Sequence, residues 1–174
     1  MKKIFLLFSS MLGGVPGCMS QSTKDIPAVQ NFDIAKYAGK WYEIARLPHR
    51  FERDMNFVYT VYTPLSKNKI KVQNFGVREN NAKHINGVAV FAQDSSQGLL
   101  KVSFFRPFYA DYRIIYLNEA YTLAIVCGST RNYLWILSRT PEISKEQMDF
   151  CLRKLTEWKF ETDLLEYPTQ LPQN

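Results

Sequence analysis

From Lys40 to Arg139 the chain alternates apolar and polar residues in short runs, and turn residues interrupt each run. A period of two is the strand signature, because successive side chains of a strand point to opposite faces. Eight such runs follow one another, over about 40–47, 57–63, 69–78, 85–93, 99–105, 112–117, 121–127 and 133–139. Pro64, Asn80-Asn81, Pro107, Asn118-Glu119 and Gly128 punctuate them. Short strands joined by hairpin-length turns point to an antiparallel up-and-down barrel or a sandwich. Ten Tyr and twelve Phe fit this reading, since aromatic side chains pack well on a pleated surface.

One helix is expected after the strands. Ser144 and Gln147 form a capping box, and Met148, Cys151, Leu152, Leu155 and Trp158 recur at helical spacing. That stripe reads as packing against the outside of the strand layer. Asp33 to Ala38 reads as one helical turn ended by Gly39, and Leu164 to Tyr167 as a last short strand.

The N-terminus has the form of a secretory signal. Lys2 and Lys3 precede the apolar run Ile4 to Leu12, which is too short to span a bilayer. Val15-Pro16-Gly17-Cys18 resembles a bacterial lipoprotein box, in which the Cys18 thiol is acylated after cleavage of residues 1–17. Several acyl chains on one cysteine give a stable anchor. Met19, not Asp, follows the cysteine, which by resemblance to sorted lipoproteins implies the outer membrane; the domain is expected to face the periplasm. Residues 18–32 read as lipidated cysteine and flexible tether, 33–168 as the domain, and 169–174 as a polar tail.

The formal charge of +6 includes Lys2 and Lys3 of the signal. The remainder is mild, and no basic cluster interleaves with aromatics, so nucleic acid is not an expected partner. No metal-ligand spacing appears, and no cofactor is expected. Cys127 and Cys151 are the remaining cysteines; they read either as a disulfide or as two buried small hydrophobes.

Three motifs occur in order along the strands. Gly39-Lys40-Trp41 opens the first strand, Ala110-Asp111-Tyr112 precedes the sixth, and Arg139 ends the eighth. Together they resemble the lipocalin family, over about Asp33 to Tyr167. Trp41 to Arg46, His49 to Arg53, Lys101 to Phe105 and Tyr133 to Pro141 are similar to bacterial outer-membrane lipocalins of the apolipoprotein D-like branch. The resemblance implies an eight-stranded antiparallel up-and-down β-barrel with one C-terminal helix packed outside. It implies that Gly39, Trp41, Asp111, Tyr112 and Arg139 are structural, with the Arg139 guanidinium on the Trp41 indole and Asp111-Tyr112 fixing a turn.

Trp41 faces inward by the resemblance, and strand period then places Glu43 and Ala45 inward too. On the other strands, Leu100, Val102 and Phe104, then Tyr133, Trp135 and Leu137, are expected on the cavity face, with Tyr59, Val61, Ile114 and Tyr116 assigned there as well. Glu43 needs a partner such as a tyrosine, a water or an arginine, or else a proton, because an unpaired buried carboxylate is costly. Arg50 and Arg53 of the first loop can attract an anionic headgroup, and Phe51 can act as a lid.

By resemblance the chain is a non-enzymatic lipid binder that stores or transports fatty acids or lysophospholipids for envelope maintenance, and a homodimer is compatible with it. Two alternatives stand beside this reading: a surface interaction module, and a lipocalin enzyme using Cys127 as a cavity thiol. His49 and His84 are far apart and neither adjoins a nucleophile motif.

Overall fold

The computed structural model describes residues 21–49, 52 and 54–170. Eight antiparallel strands close into a barrel in chain order: β1 (Gly39–Arg46), β2 (Asn56–Ser66), β3 (Lys69–Arg78), β4 (Asn81–Phe91), β5 (Leu99–Phe105), β6 (Phe108–Leu117), β7 (Leu123–Cys127) and β8 (Leu134–Ser138). β8 pairs with β1, so no long edge is left open. β6 begins four residues earlier than its alternation suggests. Pro107 falls in the turn between Phe105 and Phe108, where its missing N–H costs no ladder bond.

Two apolar layers follow from the alternation. The inner layer includes Trp41, Tyr62, Ile70, Val72, Phe91, Leu100, Val102, Ile114, Val126 and Leu137. The outer layer includes Ile44, Ala45, Ile115, Leu123, Ile125, Cys127, Leu134 and Ile136, and it is covered by the helix α2 (Lys145–Glu157) through Cys151 and Leu155. Ser144 accepts from Gln147 N while the Gln147 side chain accepts from Ser144 N, so the helix starts at the expected capping box. This is the expected architecture of barrel and external helix.

A short helix, α1 (Ile34–Tyr37), closes the end of the barrel where β1 begins, capped by Asp33. Gly39 follows at φ +94°, a region that L side chains rarely occupy. A Cβ there would lie 3.3 Å from Arg139 Nη1. The glycine therefore lets the chain turn into β1 while Arg139 passes close by.

Residues 21–32 are not the free tether that their polarity suggests. Ser22 bridges to Thr130, Thr23 N donates to Ser129 O, and Thr23 Oγ1 donates to Gly128 O. Further on, Val29 N donates to Ile114 O and Phe32 N to Ser96 O. Thr23, Ile26, Ala28 and Phe32 are buried. The segment thus runs down the outer wall from the β7–β8 turn at the open end to α1 at the closed end. Its few apolar side chains do the packing, and backbone bonds satisfy the polar remainder.

The segment leading to Gln170 is likewise bonded to the barrel. Instead of the expected strand at 164–167, a 3-10 turn (Thr162–Leu164) leads to a single bridge between Glu166 and Arg46. β1 and β2 are in register from Gly39–Tyr62 to Tyr42–Tyr59 and then part. Gln170 Nε2 fills the gap by donating to Glu43 O and Val58 O, and Phe57 N donates to Thr169 O.

Candidate functional site

The closed end is built around Trp41, which is fully buried. Its Nε1 donates to Tyr37 O at 2.8 Å. The Arg139 guanidinium carbon stands 4.1 Å from the indole centroid. Arg139 also donates to the carbonyls of Tyr121, Lys40, Lys36 and Tyr37. One planar cation thereby ties α1, β1 and the β6–β7 turn together, a geometry that a lysine lacks.

Asp111 and Tyr112 lie within β6, not in a turn, because β6 extends back to Phe108. Asp111 pairs with Lys101, its cross-strand neighbour, on the outer face. Tyr112 points inward, where its hydroxyl sits 2.7 Å from both Tyr37 and Tyr62 hydroxyls. Burial drives all three phenols upward in pKa, so they remain neutral donors and acceptors at the cavity floor.

Above this floor the inward wall is apolar. Leu100, Val102, Ile114 and Leu137 belong to it, with Phe104 and Trp135 packed against it. Phe104 lies over Gly87 of β4, where a Cβ would come within 2.7 Å of its ring. Tyr133 precedes β8 and is 41% exposed at the mouth, stacked with Trp135.

Four of the expected lining residues face elsewhere. Ala45 lies in the outer layer, because a β-bulge between Glu43 and Ala45 shifts the register against β8 and reverses the alternation. Tyr116 is also outside, with its ring 4.8 Å from Phe150 of α2, after a similar shift between Ile114 and Tyr116. Tyr59 and Val61 are outside because Thr60 is paired with inward Trp41 and Tyr62 lies in the inner layer. Tyr59 stacks on Phe75, and Lys40 covers it.

The bulge creates the polar part of the site. Glu43 is opposite inward Leu137 and Arg46 is opposite inward Trp135, so residues three apart share the inner face. Arg46 Nη1 reaches Glu43 Oε1 at 2.6 Å, and both side chains are buried. Arg46 Nε also donates to Glu166 at 3.0 Å. A second carboxylate, Glu52, comes from the first loop. It accepts from Trp135 Nε1 at 3.0 Å and lies 2.7 Å from His49 Nε2. Burial and the nearby Glu52 charge hold the Glu43 carboxyl above its usual range despite Arg46. Burial alone would raise Glu52 too, but the His49 bond and charge outweigh it and hold Glu52 low. Glu43 and Glu166 both accept from the Arg46 guanidinium, and the Glu52 charge acts on both Glu43 and Arg46. Beside Arg46 a small surface hollow of about 140 Å³ is lined by Asp54, Met55, Asn56, Glu166, Tyr167 and Pro168.

Arg46, Glu52, Tyr62 and Tyr112 are site residues that alternation alone does not reveal. Ile70 and Val72 were available to it, since they alternate with Lys69, Lys71 and Gln73 in β3. Arg50, Phe51, Arg53 and Cys18 lie outside the described residues. Cys127 and Cys151 are free thiols, both buried in the layer between the barrel and α2. Cys127 is on the outer face, not in the cavity, and burial pushes its thiol up to about 11. Among the described residues no group of His, Cys, Asp and Glu side chains could hold a metal ion.

A closed eight-stranded barrel with an apolar interior and a plugged floor defines a container for one small hydrophobic molecule. The chain belongs to the lipocalin family: residues 32–170 match the lipocalin-like domain. It is 43% identical to the outer membrane lipoprotein Blc of Citrobacter freundii over 159 residues, covering 90% of each chain. It is 39% identical to the Blc protein of Vibrio cholerae over 173 residues, covering 98% of this chain and 99% of the other. Rat apolipoprotein D is 32% identical over 140 residues, or 75% of this chain and 72% of that one. Among solved structures, insecticyanin from the tobacco hornworm superposes with a TM-score of 0.71 at 22% identity, covering 84% of this chain and 85% of that one, a likeness of fold.

Proposed function

We propose that this protein is an outer-membrane lipoprotein, acylated at Cys18 after removal of residues 1–17, that binds a single-chain lipid within its barrel. The ligand class is a long-chain fatty acid or a lysophospholipid, and the work is its storage or transport for maintenance of the envelope. The domain faces the periplasm. Relatives named outer membrane lipoprotein that match nearly the whole chain support the location.

The observation that carries the ligand class is the distribution of polarity inside the barrel. The wall from Leu100 and Val102 to Leu137 is apolar, which suits an acyl chain. Toward the mouth stand Trp135 and the cluster of Glu43, Arg46 and Glu52. A ligand carboxylate or phosphate arriving there meets the Arg46 guanidinium, which Glu43 and Glu166 already engage, beside a Glu43 carboxyl whose raised pKa eases its neutralisation. Binding, not thiol chemistry, is the supported activity, because Cys127 faces α2 and is held protonated by burial.

Native mass spectrometry of the domain lacking residues 1–18, challenged with fatty acids, lysophospholipids and diacyl phospholipids, tests this. A saturable complex with single-chain lipids is expected, at one lipid per barrel or per dimer if the chain pairs. A protein that ignores every lipid removes the carrier function while leaving the fold intact.

A further inference from the structure

The open end of the barrel carries exposed aromatic residues that packing does not explain. The tip of the β5–β6 hairpin presents Phe105, 67% exposed, Phe108, 77% exposed, and Tyr109, 43% exposed. Between them stands exposed Arg106. In an up-and-down barrel the β1–β2, β3–β4, β5–β6 and β7–β8 turns share one end, so this tip and Tyr133 belong to the same rim. Two exposed phenylalanines flanking an arginine, with a tyrosine beside them, are costly in water. At a lipid headgroup layer the rings insert and the cation remains among the phosphates.

The N-terminal strap is tied to the same end. Arg131 N, in the β7–β8 turn, donates to Gln21 O at 2.9 Å. Arg131 Nε donates to Trp158 O and Nη2 pairs with Asp25, so this strap is fixed at several points. Cys18 precedes Gln21 by three residues. Three extended residues reach about 10 Å at most. An acyl anchor on Cys18 would therefore be confined to within that reach of the open rim.

We infer that the open rim is a membrane-docking surface, in which Phe105, Phe108 and Tyr109 enter the headgroup layer of the bilayer holding the anchor and the barrel mouth opens onto that layer. The inference rests on the proposed acylation of Cys18. It gives the cavity direct access to single-chain lipids as they leave the membrane, without passage through water.

The test uses the full-length acylated protein in vesicles of phosphatidylethanolamine and phosphatidylglycerol, with a nitroxide on Phe108→Cys or, at the closed end, on Glu119→Cys. Buried Cys127 and Cys151 are shielded from the label. Flotation of the vesicles reports anchoring independently of docking. The expected result is a floating protein whose label at 108 collides with oxygen in the lipid phase, while the label at 119 remains in water. A floating protein with both labels in water overturns docking and leaves the anchor standing. Spin–spin broadening at 108 overturns it in favour of a second copy of this chain on the tip. A protein that does not float overturns both anchor and docking. In a second arm, the triple variant Phe105→Ser, Phe108→Ser and Tyr109→Ser should load lysophospholipid from vesicles several-fold more slowly. It should load the same lipid from dilute monomeric solution at the parent rate. Equal rates from vesicles would contradict the proposal.

Discussion

Glu43 and Arg46 meet at 2.6 Å inside the barrel although they are three residues apart on one strand. Strict alternation would place them on opposite faces. The bulge between Glu43 and Ala45 puts them on the same face, and sends Ile44 and Ala45 together to the layer beneath α2. This pair unites the polar end of the cavity with the seam where Glu166 and Gln170 hold the barrel shut.

Removing one member of a buried ion pair costs more than the pair contributes, because it strands the other charge. Arg46→Met should therefore destabilise the domain by about 3–5 kcal/mol. Glu43→Gln should cost less, since burial and the Glu52 charge raise the Glu43 pKa and so offset what its charge contributes, and glutamine can still accept from Arg46. Urea denaturation of the two variants, at neutral pH, checks the order.

The shift of Glu43 has a sign that titration can read. Its pKa is raised on folding, so its contribution to stability is fully present below the ordinary carboxylate value. That contribution is lost as pH rises through the raised value. Glu52 behaves oppositely: its pKa is lowered, and its contribution disappears as pH falls through the lowered value. Glu43→Gln should thus gain stability relative to the parent as pH rises above the usual carboxylate range. Unfolding free energy measured against pH for both proteins would show a difference that grows in that window. A flat difference means that the carboxyl is not shifted.

Gly39 adopts φ +94° under Arg139. Gly39→Ala should cost about 1–2 kcal/mol from the backbone alone. Trp41→Ala, which opens a hole in the barrel floor, should cost about 3–5 kcal/mol. Thermal or chemical denaturation separates the two.

The orientation of the strands is tested by a pair of variants on opposite faces. Val102→Thr places a hydroxyl in the apolar wall and should weaken fatty-acid binding several-fold. Tyr59→Ser removes a stacked ring outside the barrel. It should leave lipid affinity unchanged while costing about 0.5–1.5 kcal/mol from the lost aromatic pair. Equilibrium binding and denaturation on the same preparations give both readouts.

The strand runs, the helix with its capping box and the plug of Gly39, Trp41 and Arg139 are all written locally, in alternation, caps and motif residues. What the sequence conceals is whatever depends on pairing register. Counting in twos from Trp41 puts Ala45 inside, and Tyr116 carries cavity chemistry, but a bulge in each of their strands turns them outward. Tyr59 and Val61 carry the right chemistry for a cavity but the wrong phase, fixed by the partners of Thr60. Arg46 and Glu52 become site residues only when a loop and a bulge converge on Trp135 and Glu43. Polar residues 21–25 look like a linker because their bonds go to a turn more than a hundred positions later.

The most direct measurement of a lipid inside the barrel uses its tryptophans. Trp135 faces the cavity, whereas Trp158 lies outside at the end of α2. A brominated fatty acid quenches the indoles that it touches. Quenching should saturate, fall sharply in Trp135→Phe and be unchanged in Trp158→Phe. Quenching that survives Trp135→Phe but disappears with Trp158→Phe would place the lipid on the outer surface and contradict a ligand held within the barrel.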